Sequence, residues 1–335
     1  MIRPGPRDSL CDVAGLLVGN AEDHAARTGA TVVLAEPAAL AAADVRGGAP
    51  GTINTDALRA GGLLQRVDGV VLSGGSVFGL EAATGLIGWL AERGRGFGEW
   101  GPAIPIVTGA ILFDLLNGGD KGWGGAPPYR RLAQLAAESA GREVALGNVG
   151  AGLGAVAGTV KGGLGTASAL DATTGITVAA LVAVNSVGSV TMPGSGTMWA
   201  WHLEQAGELG GQSAPLAATG HAFETKRGIG MNTTIGVVAT DAVLDHGAVQ
   251  RLSAMAQGGY AYAIRPIYTP FDGDTVFALA TGAVPLPDRP DALVRLGAIA
   301  ADVVARAVMR GVYAAETLGD VQGYRERWGV RPAPA

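Results

Sequence analysis

The most informative part of the sequence is GMNTTIGVVATD, residues 230–241. A glycine-bearing segment ends there in two hydroxyl residues, Thr233 and Thr234, and an apolar β-branched run follows at once. This pattern predicts a loop that becomes a buried strand at the first threonine. A catalytic side chain is best held on such a rigid element, so the junction is a candidate site for a nucleophile.

The peptide bond between Asn232 and Thr233 is a candidate cleavage point. A threonine hydroxyl is a weak nucleophile near neutral pH and needs a neighbouring base. One solution uses the threonine's own α-amine, which is freed when the chain is cut just before it. The local pattern does not choose between Thr233 and Thr234, nor does it establish that either is catalytic.

Composition limits the classes of function that remain. A length of 335 residues with 48% hydrophobic content allows one large or two ordinary soluble domains. A net charge of -5 with 16% charged residues provides no basic field for phosphate backbones, so we expect no nucleic acid partner. The polar interruptions in residues 172–192 favour two buried strands, or a strand and a turn, over a membrane span. The N-terminus lacks the apolar stretch of a secretory signal.

Cysteine and histidine usage argues against metal chemistry. Cys11 is the single cysteine, which excludes a disulfide framework and a cysteine metal cluster and fits a reducing cytoplasm. No histidine lies nearby to activate it as a catalytic thiol. The four histidines are scattered, without metal-binding spacing: His24, His202, His221 and His246. We therefore expect neither a metal nor another cofactor.

Hydrophobic patterning predicts a mixed α+β fold. The predicted strands are 13–18, 29–34, 69–72, 104–111, 166–170 and 176–184, with one after Thr233 and one around Val276. The predicted helices are 77–90, 129–138, 242–257 and 292–316. Strands and helices do not alternate strictly, so layered α+β packing is favoured over a doubly wound parallel sheet.

A glycine-dense block at residues 147–165 has two interpretations. GAGLGA at 150–155, with Asp171 further on, partly matches a dinucleotide-binding fingerprint, but the glycines that follow leave no crossover helix. A glycine-rich strand and turn with close backbone packing fits better. Lys161 is either a solvated surface residue or, given its apolar and glycine-rich setting, a partly buried functional ammonium.

Other polar residues have both structural and catalytic interpretations. Asn185 ends an apolar run as a turn-maker or as an oxyanion donor. Asp272 and Asp274 precede a strand as turn residues, or hold Lys161 or a new α-amine through charge-assisted hydrogen bonds. The loop SGGS at 73–76 is predicted to face an anion or a carbonyl, and the basic pair Lys226 and Arg227 to end an exposed linker.

Several motifs in the same order resemble the family of L-aminopeptidase/D-esterases, β-peptidyl aminopeptidases and nylon-oligomer hydrolases. The motifs span nearly the whole chain: RGGAPGT at 46–52, SGGSVFGL at 73–80, PIV at 105–107 with GAILFD at 109–114, the glycine block, NTTI at 232–235, and RP at 265–266 with FDGDT at 271–275. Most aminopeptidase members have a serine after a glycine at the cleavage point. The Asn-Thr junction here is similar to the nylon-oligomer hydrolase branch.

This resemblance implies a four-layer αββα sandwich of the N-terminal-nucleophile type. It implies one self-processing domain over residues 1–335, cut into an α chain 1–232 and a β chain 233–335 that stay associated. Thr233 matches the nucleophile, Lys161 a catalytic lysine, Asn185 the amide beside the nucleophile, and Asp272 and Asp274 the supporting acidic pair. The implied activity is hydrolysis of a small amide, ester or short peptide through an acyl-enzyme, in a homo-oligomer.

Two other functions remain open on the sequence. An ornithine acetyltransferase-like enzyme also cuts itself before a threonine, but it transfers the acyl group to an amine acceptor. A non-catalytic small-molecule binder would keep the fold with the chain uncut. The resemblance selects Thr233 over Thr234, which would pack or hydrogen-bond beside it.

Overall fold

The computed structural model describes residues 1–98, 101–215, 225–226 and 232–330. The strands in these ranges are β1 Ile2–Arg3, β2 Leu16–Asp23, β3 Thr28–Val45, β4 Thr52–Ile53, β5 Arg66–Ser73, β6 Val107–Ile111, β7 Val156–Ala157, β8 Val160–Lys161, β9 Gly163–Asp171, β10 Ile176–Asn185, β11 Thr233–Val243 and β12 Thr275–Pro285. The α-helices are α1 Glu81–Ala91, α2 Tyr129–Glu138, α3 His246–Ala263, α4 Ala292–Ala314 and α5 Tyr324–Trp328.

Ten strands form one continuous hydrogen-bonded sheet, and the 18-residue strand β3 belongs to both of its halves, which pack face to face and are called here the first and the second sheet. Its first half, residues 28–35, pairs antiparallel with β2 and β5, and its second half, residues 40–45, pairs antiparallel with β12. The pairing with β5 shifts register between Leu34 and Ala39, which is where the strand passes from one sheet to the other. Small alanines fill the second half, so the two sheets can lie close together there.

The first sheet has the order β1-β9-β10-β11-β12 followed by the second half of β3. The second sheet contains β2, the first half of β3, β5, β6 and β4. Only the β11–β12 and β5–β6 pairs are parallel among the paired strands of the described residues. The predicted α+β layering is confirmed, because consecutive strands mostly pair as antiparallel neighbours.

Three apolar clusters define four layers. One cluster lies between the sheets and joins side chains such as Val33 and Leu72 to Leu181 and Phe277. A second lies between the first sheet and helices α3 and α4. The third lies between the second sheet and helices α1 and α2. The order helix, sheet, sheet, helix is the predicted αββα sandwich.

The glycine block forms strands and close contacts. Strands β7 and β8 make a small hairpin, and β9 continues into the first sheet. A Cβ atom at Gly165 would lie 2.0 Å from the carbonyl oxygen of Ala307, so α4 packs directly on the backbone of β9. The interpretation as a glycine-rich strand and turn is confirmed: the block contains a short 3-10 turn at Gly150–Gly152, and no α-helix opens on these glycines in the described residues.

Several predicted boundaries shift for local reasons. Helix α2 has the predicted bounds, and residues 77–90 form a 3-10 turn, Ser76–Leu80, followed by α1. The helix predicted over 242–257 instead begins at His246, because residues 242–243 still pair with β12 and Asp245 caps the helix by accepting from the Ala248 N–H. Residues 172–192 contain the turn after β9 and the single strand β10, so the alternative of a strand and a turn is confirmed. No helix among the described residues is long and apolar enough to cross a membrane.

Candidate active site

Thr233 lies where a loop becomes a buried strand. It is the first residue of β11, its side chain is 2% exposed, and Asn185 at the end of β10 lies directly opposite it in the antiparallel ladder. The preceding residue, Asn232, donates its N–H to the Phe271 carbonyl at 2.8 Å and bridges to Asp272. The predicted loop-to-strand junction is confirmed. Residues 227–231, which include Arg227 and the start of the quoted stretch, lie outside the described residues.

The Gly273 N–H contacts both the Thr233 hydroxyl and the carbonyl oxygen of the preceding residue. The Gly273 N–H lies 3.2 Å from Thr233 Oγ1 and 3.1 Å from the carbonyl oxygen of Asn232. The Thr233 hydroxyl donates to that same carbonyl oxygen. An N–H aimed at a carbonyl oxygen stabilises the negative charge that develops there when the carbon is attacked. Sequence reasoning missed this donor, although a glycine between two carboxylates was a visible signal.

The position of Gly273 leaves no room for a side chain. A Cβ atom there would lie 2.7 Å from the Ala49 carbonyl oxygen and 2.9 Å from Thr233 Oγ1. The RGGAPGT segment packs against the same loop, since the Ala49 N–H donates to the Asp272 carbonyl at 2.8 Å and the Arg46 N–H to the Asp274 carbonyl at 2.9 Å. Two segments more than 200 residues apart in sequence therefore fix the donor in place.

The two carboxylates are buried and bound by backbone donors. Asp274 accepts the Thr234 N–H at 2.8 Å and the Tyr268 N–H at 3.0 Å. Asp272 accepts the Val187 N–H at 3.1 Å. Burial raises the pKa of both carboxyls, and the neighbouring Asp272 charge raises the pKa of Asp274 further. The pair thus resists carrying two negative charges and lies next to the start of β11.

Lys161 is a buried ammonium rather than a surface lysine. Its side chain is 1% exposed, and Nζ donates to the carbonyl oxygens of Gly152 at 2.9 Å and Gly162 at 2.8 Å. Burial lowers its pKa to about 7, while the Asp114 carboxylate acts in the opposite direction. The idea that the acidic pair holds Lys161 is wrong, because its ammonium is bound by backbone carbonyls of the glycine block.

Asn185 is buried with its amide in use. Its Oδ1 accepts the Val156 N–H at 2.9 Å, and its Nδ2 donates to the Phe113 carbonyl at 2.9 Å. An amide nitrogen carries two N–H groups, so one remains for a developing oxyanion. The register of β10 and β11 places Asn185 opposite Thr233, and its catalytic role stays a prediction.

Lys226 corrects the expectation of an exposed basic linker end. Its side chain is half-buried, and Nζ lies 2.9 Å from Asn232 Oδ1. The Lys226 N–H donates to the Val187 carbonyl at 3.0 Å, and Thr225 bridges to Gly188. This pairing turns the chain back onto the residues that follow β10, which no local pattern reveals. Burial lowers the pKa of Lys226 to about 8.

The SGGS loop surrounds a buried carboxylate. Asp114 accepts the Gly75 N–H at 2.8 Å and the Thr28 hydroxyl at 2.6 Å, so the expectation of an anion-facing loop is confirmed. A Cβ atom at Gly74 would lie 2.2 Å from Asp114 Oδ2, which explains the glycine. The charge of this carboxylate favours the protonated forms of Lys161 and Lys226.

Cys11 is a poor candidate for a nucleophile, and the described residues form no metal cluster. Burial raises the pKa of the Cys11 thiol to about 11, so the reactive thiolate is scarce near neutral pH. No group of three His, Cys, Asp or Glu side chains in the described ranges is placed to hold a metal ion. His221 lies outside those ranges.

The low pKa of Lys161 predicts a pH-dependent stability. Between about pH 7 and 10.5 the unfolded chain binds a proton at this lysine that the folded chain lacks, so folding becomes more favourable as the pH rises. In the uncut Thr233→Ala background, the free energy of unfolding of the chain with Lys161, minus that of the chain with Lys161→Met, should rise across this window by up to about 1.4 kcal/mol per pH unit. Urea unfolding from pH 7 to 10 measures it. Parallel curves for the two proteins would contradict the buried, weakly basic lysine.

Comparisons with known proteins show the family of the chain. The sequence pattern of peptidase family S58 matches residues 8–326. An uncharacterized aminopeptidase of Mycobacterium tuberculosis is 42% identical over 348 residues, covering 95% of this chain and 97% of that protein. A 6-aminohexanoate-oligomer endohydrolase of Kocuria sp. is 29% identical over 331 residues, covering 92% of this chain and 87% of that protein.

A solved structure shares the fold. The L-aminopeptidase D-Ala-esterase/amidase of Ochrobactrum anthropi, described as a variant of the Ntn hydrolase fold, has a TM-score of 0.70 at 21% identity. The match covers 98% of this chain and 96% of that chain. The four-layer fold expected from the resemblance is therefore confirmed.

Proposed function

The chain belongs to peptidase family S58 and is a hydrolase, and we propose that it activates itself by cutting between Asn232 and Thr233. The freed Thr233 then hydrolyses amide or ester bonds in small substrates or short peptides. The strongest support for this proposal is the Gly273 N–H, which contacts both the Thr233 hydroxyl that would attack and the Asn232 carbonyl that would be attacked. Hydroxyl, carbonyl and oxyanion donor thus lie together before any substrate binds.

In the first stage the chain is its own substrate. Thr233 Oγ1 bonds to the carbonyl carbon of Asn232, and the developing oxyanion is stabilised by the Gly273 N–H. The C–N bond breaks as the amide nitrogen takes up a proton, which leaves an ester on Oγ1 and a free α-amine. Water then hydrolyses the ester, so that chain 1–232 ends in a carboxylate and chain 233–335 begins with Thr233.

In the second stage the new amine serves as the base. A terminal α-amine has a pKa of about 7.7–8.0, so a useful fraction is neutral near pH 7 and can accept the Thr233 hydroxyl proton. The hydroxyl attacks the substrate, the leaving amine or alcohol departs, and water releases the acyl group. We assign the oxyanion to Gly273 and Asn185, and the tuning of the amine to Lys161, Asp272 and Asp274.

The two chains stay associated because the cut lies just before the first residue of a sheet strand, β11. Strand β11 pairs with β10 of the first chain, and β12 pairs with β3 of the first chain. Every one of these ladder hydrogen bonds lies on residues that cleavage leaves in place. The product is therefore a single folded unit of two chains, with β11, α3, β12 and α4 supplied by the second.

Substrate class is tested by a panel with the purified protein. Aminoacyl p-nitroanilides, β-peptides and 6-aminohexanoate oligomers separate the specificities named among the relatives, and one of these classes should be hydrolysed. Adding an amine acceptor distinguishes hydrolysis from acyl transfer, since transfer would give an acylated amine instead of the free acid. A chain that stays uncut and turns over none of them would contradict the proposal.

Assembly and location follow from the resemblance and remain proposals. We expect several copies of the two-chain unit to form a homo-oligomer, which light scattering on the purified protein measures. We expect the protein in the cytoplasm, in line with its single buried cysteine.

A further inference from the structure

The segment before the cut is anchored at two places. Thr225 bridges to Gly188, and the Lys226 N–H donates to the Val187 carbonyl at 3.0 Å. The second anchor is Asn232, which bridges to Asp272. The Lys226 side chain joins the two anchors directly, because its Nζ donates to Asn232 Oδ1 at 2.9 Å.

This side-chain contact adds to two backbone hydrogen bonds that hold Asn232 in place. Its N–H is bound by the Phe271 carbonyl at 2.8 Å, and its carbonyl oxygen by the Gly273 N–H at 3.1 Å. Those two bonds hold the main chain on either side of the residue. The Lys226 ammonium holds the side chain. The three hydrogen bonds together restrict rotation about the backbone dihedrals of Asn232.

The chemistry of the contact makes it stronger than an ordinary one. Asn232 is 2% exposed, and the lysine is half-buried, so little water competes for either group. An ammonium that donates to an amide oxygen forms a charge-assisted hydrogen bond, which is roughly twice as strong as a neutral one. Neither group reacts in the cut, so the contribution of the contact is to geometry.

We propose that Lys226 is a positioning residue for self-cleavage, which holds the Asn232 side chain so that the carbonyl stays in line with the Thr233 hydroxyl. The inference rests on the proposed function, because it concerns the rate of that cut. Reaction rates depend steeply on such alignment, since a misplaced carbonyl must be brought back before each attack. Lys226 forms no bond and transfers no proton in this role.

The test follows the appearance of the smaller chain after pulse-labelled cell-free synthesis. Lys226→Met should slow the cut about tenfold, in keeping with the loss of one charge-assisted hydrogen bond. Lys226→Arg keeps a cationic donor of similar reach and should restore most of the rate. Lys121→Met is the matched control, because Lys121 Nζ donates to Asn117 Oδ1 at 3.0 Å and to a carbonyl oxygen elsewhere. Its rate should equal that of the wild type.

A double-mutant cycle separates positioning from general damage. If Lys226 acts through the Asn232 side chain, Lys226→Met should cause no further slowing in an Asn232→Ala background. The proposal is overturned if Lys226→Met cuts at the wild-type rate, if arginine does not rescue it, or if the two losses simply add. None of these outcomes contradicts the proposed function. The proposed function fails if the wild-type chain is never cut.

Discussion

Thr233→Ala should leave one uncut chain with no measurable amide hydrolysis. The substitution removes the only oxygen that contacts both the Asn232 carbonyl and the Gly273 N–H within the described site, so neither the cut nor the acyl-enzyme can form. Removing a catalytic nucleophile lowers kcat by about 10⁶ in a well-studied hydrolase, so activity should fall below detection. A denaturing gel and a substrate assay measure the two effects.

Two further variants make this result specific to Thr233. Thr233→Ser keeps a hydroxyl at the same atom and should still be cut. Thr234→Val is a near match in shape, and the Thr234 hydroxyl is buried without a hydrogen-bond partner among the described residues, so this variant should also be cut and active. If Thr234→Val remains uncut while Thr233→Ala is processed, the nucleophile is Thr234.

Arg306→Met should cause the largest loss of stability among the charged residues discussed. Arg306 on α4 contacts Asp8 at 2.6 Å and Glu208 at 2.8 Å, and Arg310 joins both at 3.0 and 3.1 Å. The side chain of Arg306 is only 5% exposed. Removing one partner of a buried ionic cluster leaves uncompensated charge and costs about 3–5 kcal/mol. The cluster also joins the two proposed chains, because the acids lie before the cut and the arginines after it.

Urea unfolding in the uncut Thr233→Ala background measures this effect on one chain. Arg7→Met is the control, because its partner Glu143 is 88% exposed and an exposed ion pair contributes at most about 1 kcal/mol. The expected order is a large loss for Arg306→Met and a small one for Arg7→Met. Equal losses would show that the cluster is no more important than a surface pair.

The sequence predicts the elements better than their assembly. Helix α2 and the loop-to-strand junction at Thr233 follow from apolar spacing and from the glycine-bearing segment before the β-branched run. The length of β3 could not be predicted from its alanines, because its second half is held by β12, more than 200 residues away. The late start of α3 has the same cause, since pairing with β12 extends β11.

The sequence likewise predicts some residues of the candidate site and misses others. Thr233, Asn185, Asp272 and Asp274 carry recognisable side-chain chemistry, and the structure brings them to neighbouring positions. The Gly273 donor and Lys226 were missed, because a backbone N–H has no residue signature and a lysine in a polar stretch resembles a surface residue. Only the tertiary pairing of Thr225–Lys226 with the residues after β10 places that lysine beside Asn232.

The central claim is that the chain cuts itself at one bond, and intact-mass analysis of the purified wild type tests it most directly. We predict two chains of about 23 and about 10 kDa, the smaller with Thr233 as its first residue. The masses should sum to that of the full chain plus one water, since the ester is hydrolysed. A single uncut chain that nevertheless hydrolyses amides, or a smaller chain beginning at another residue, would contradict the account.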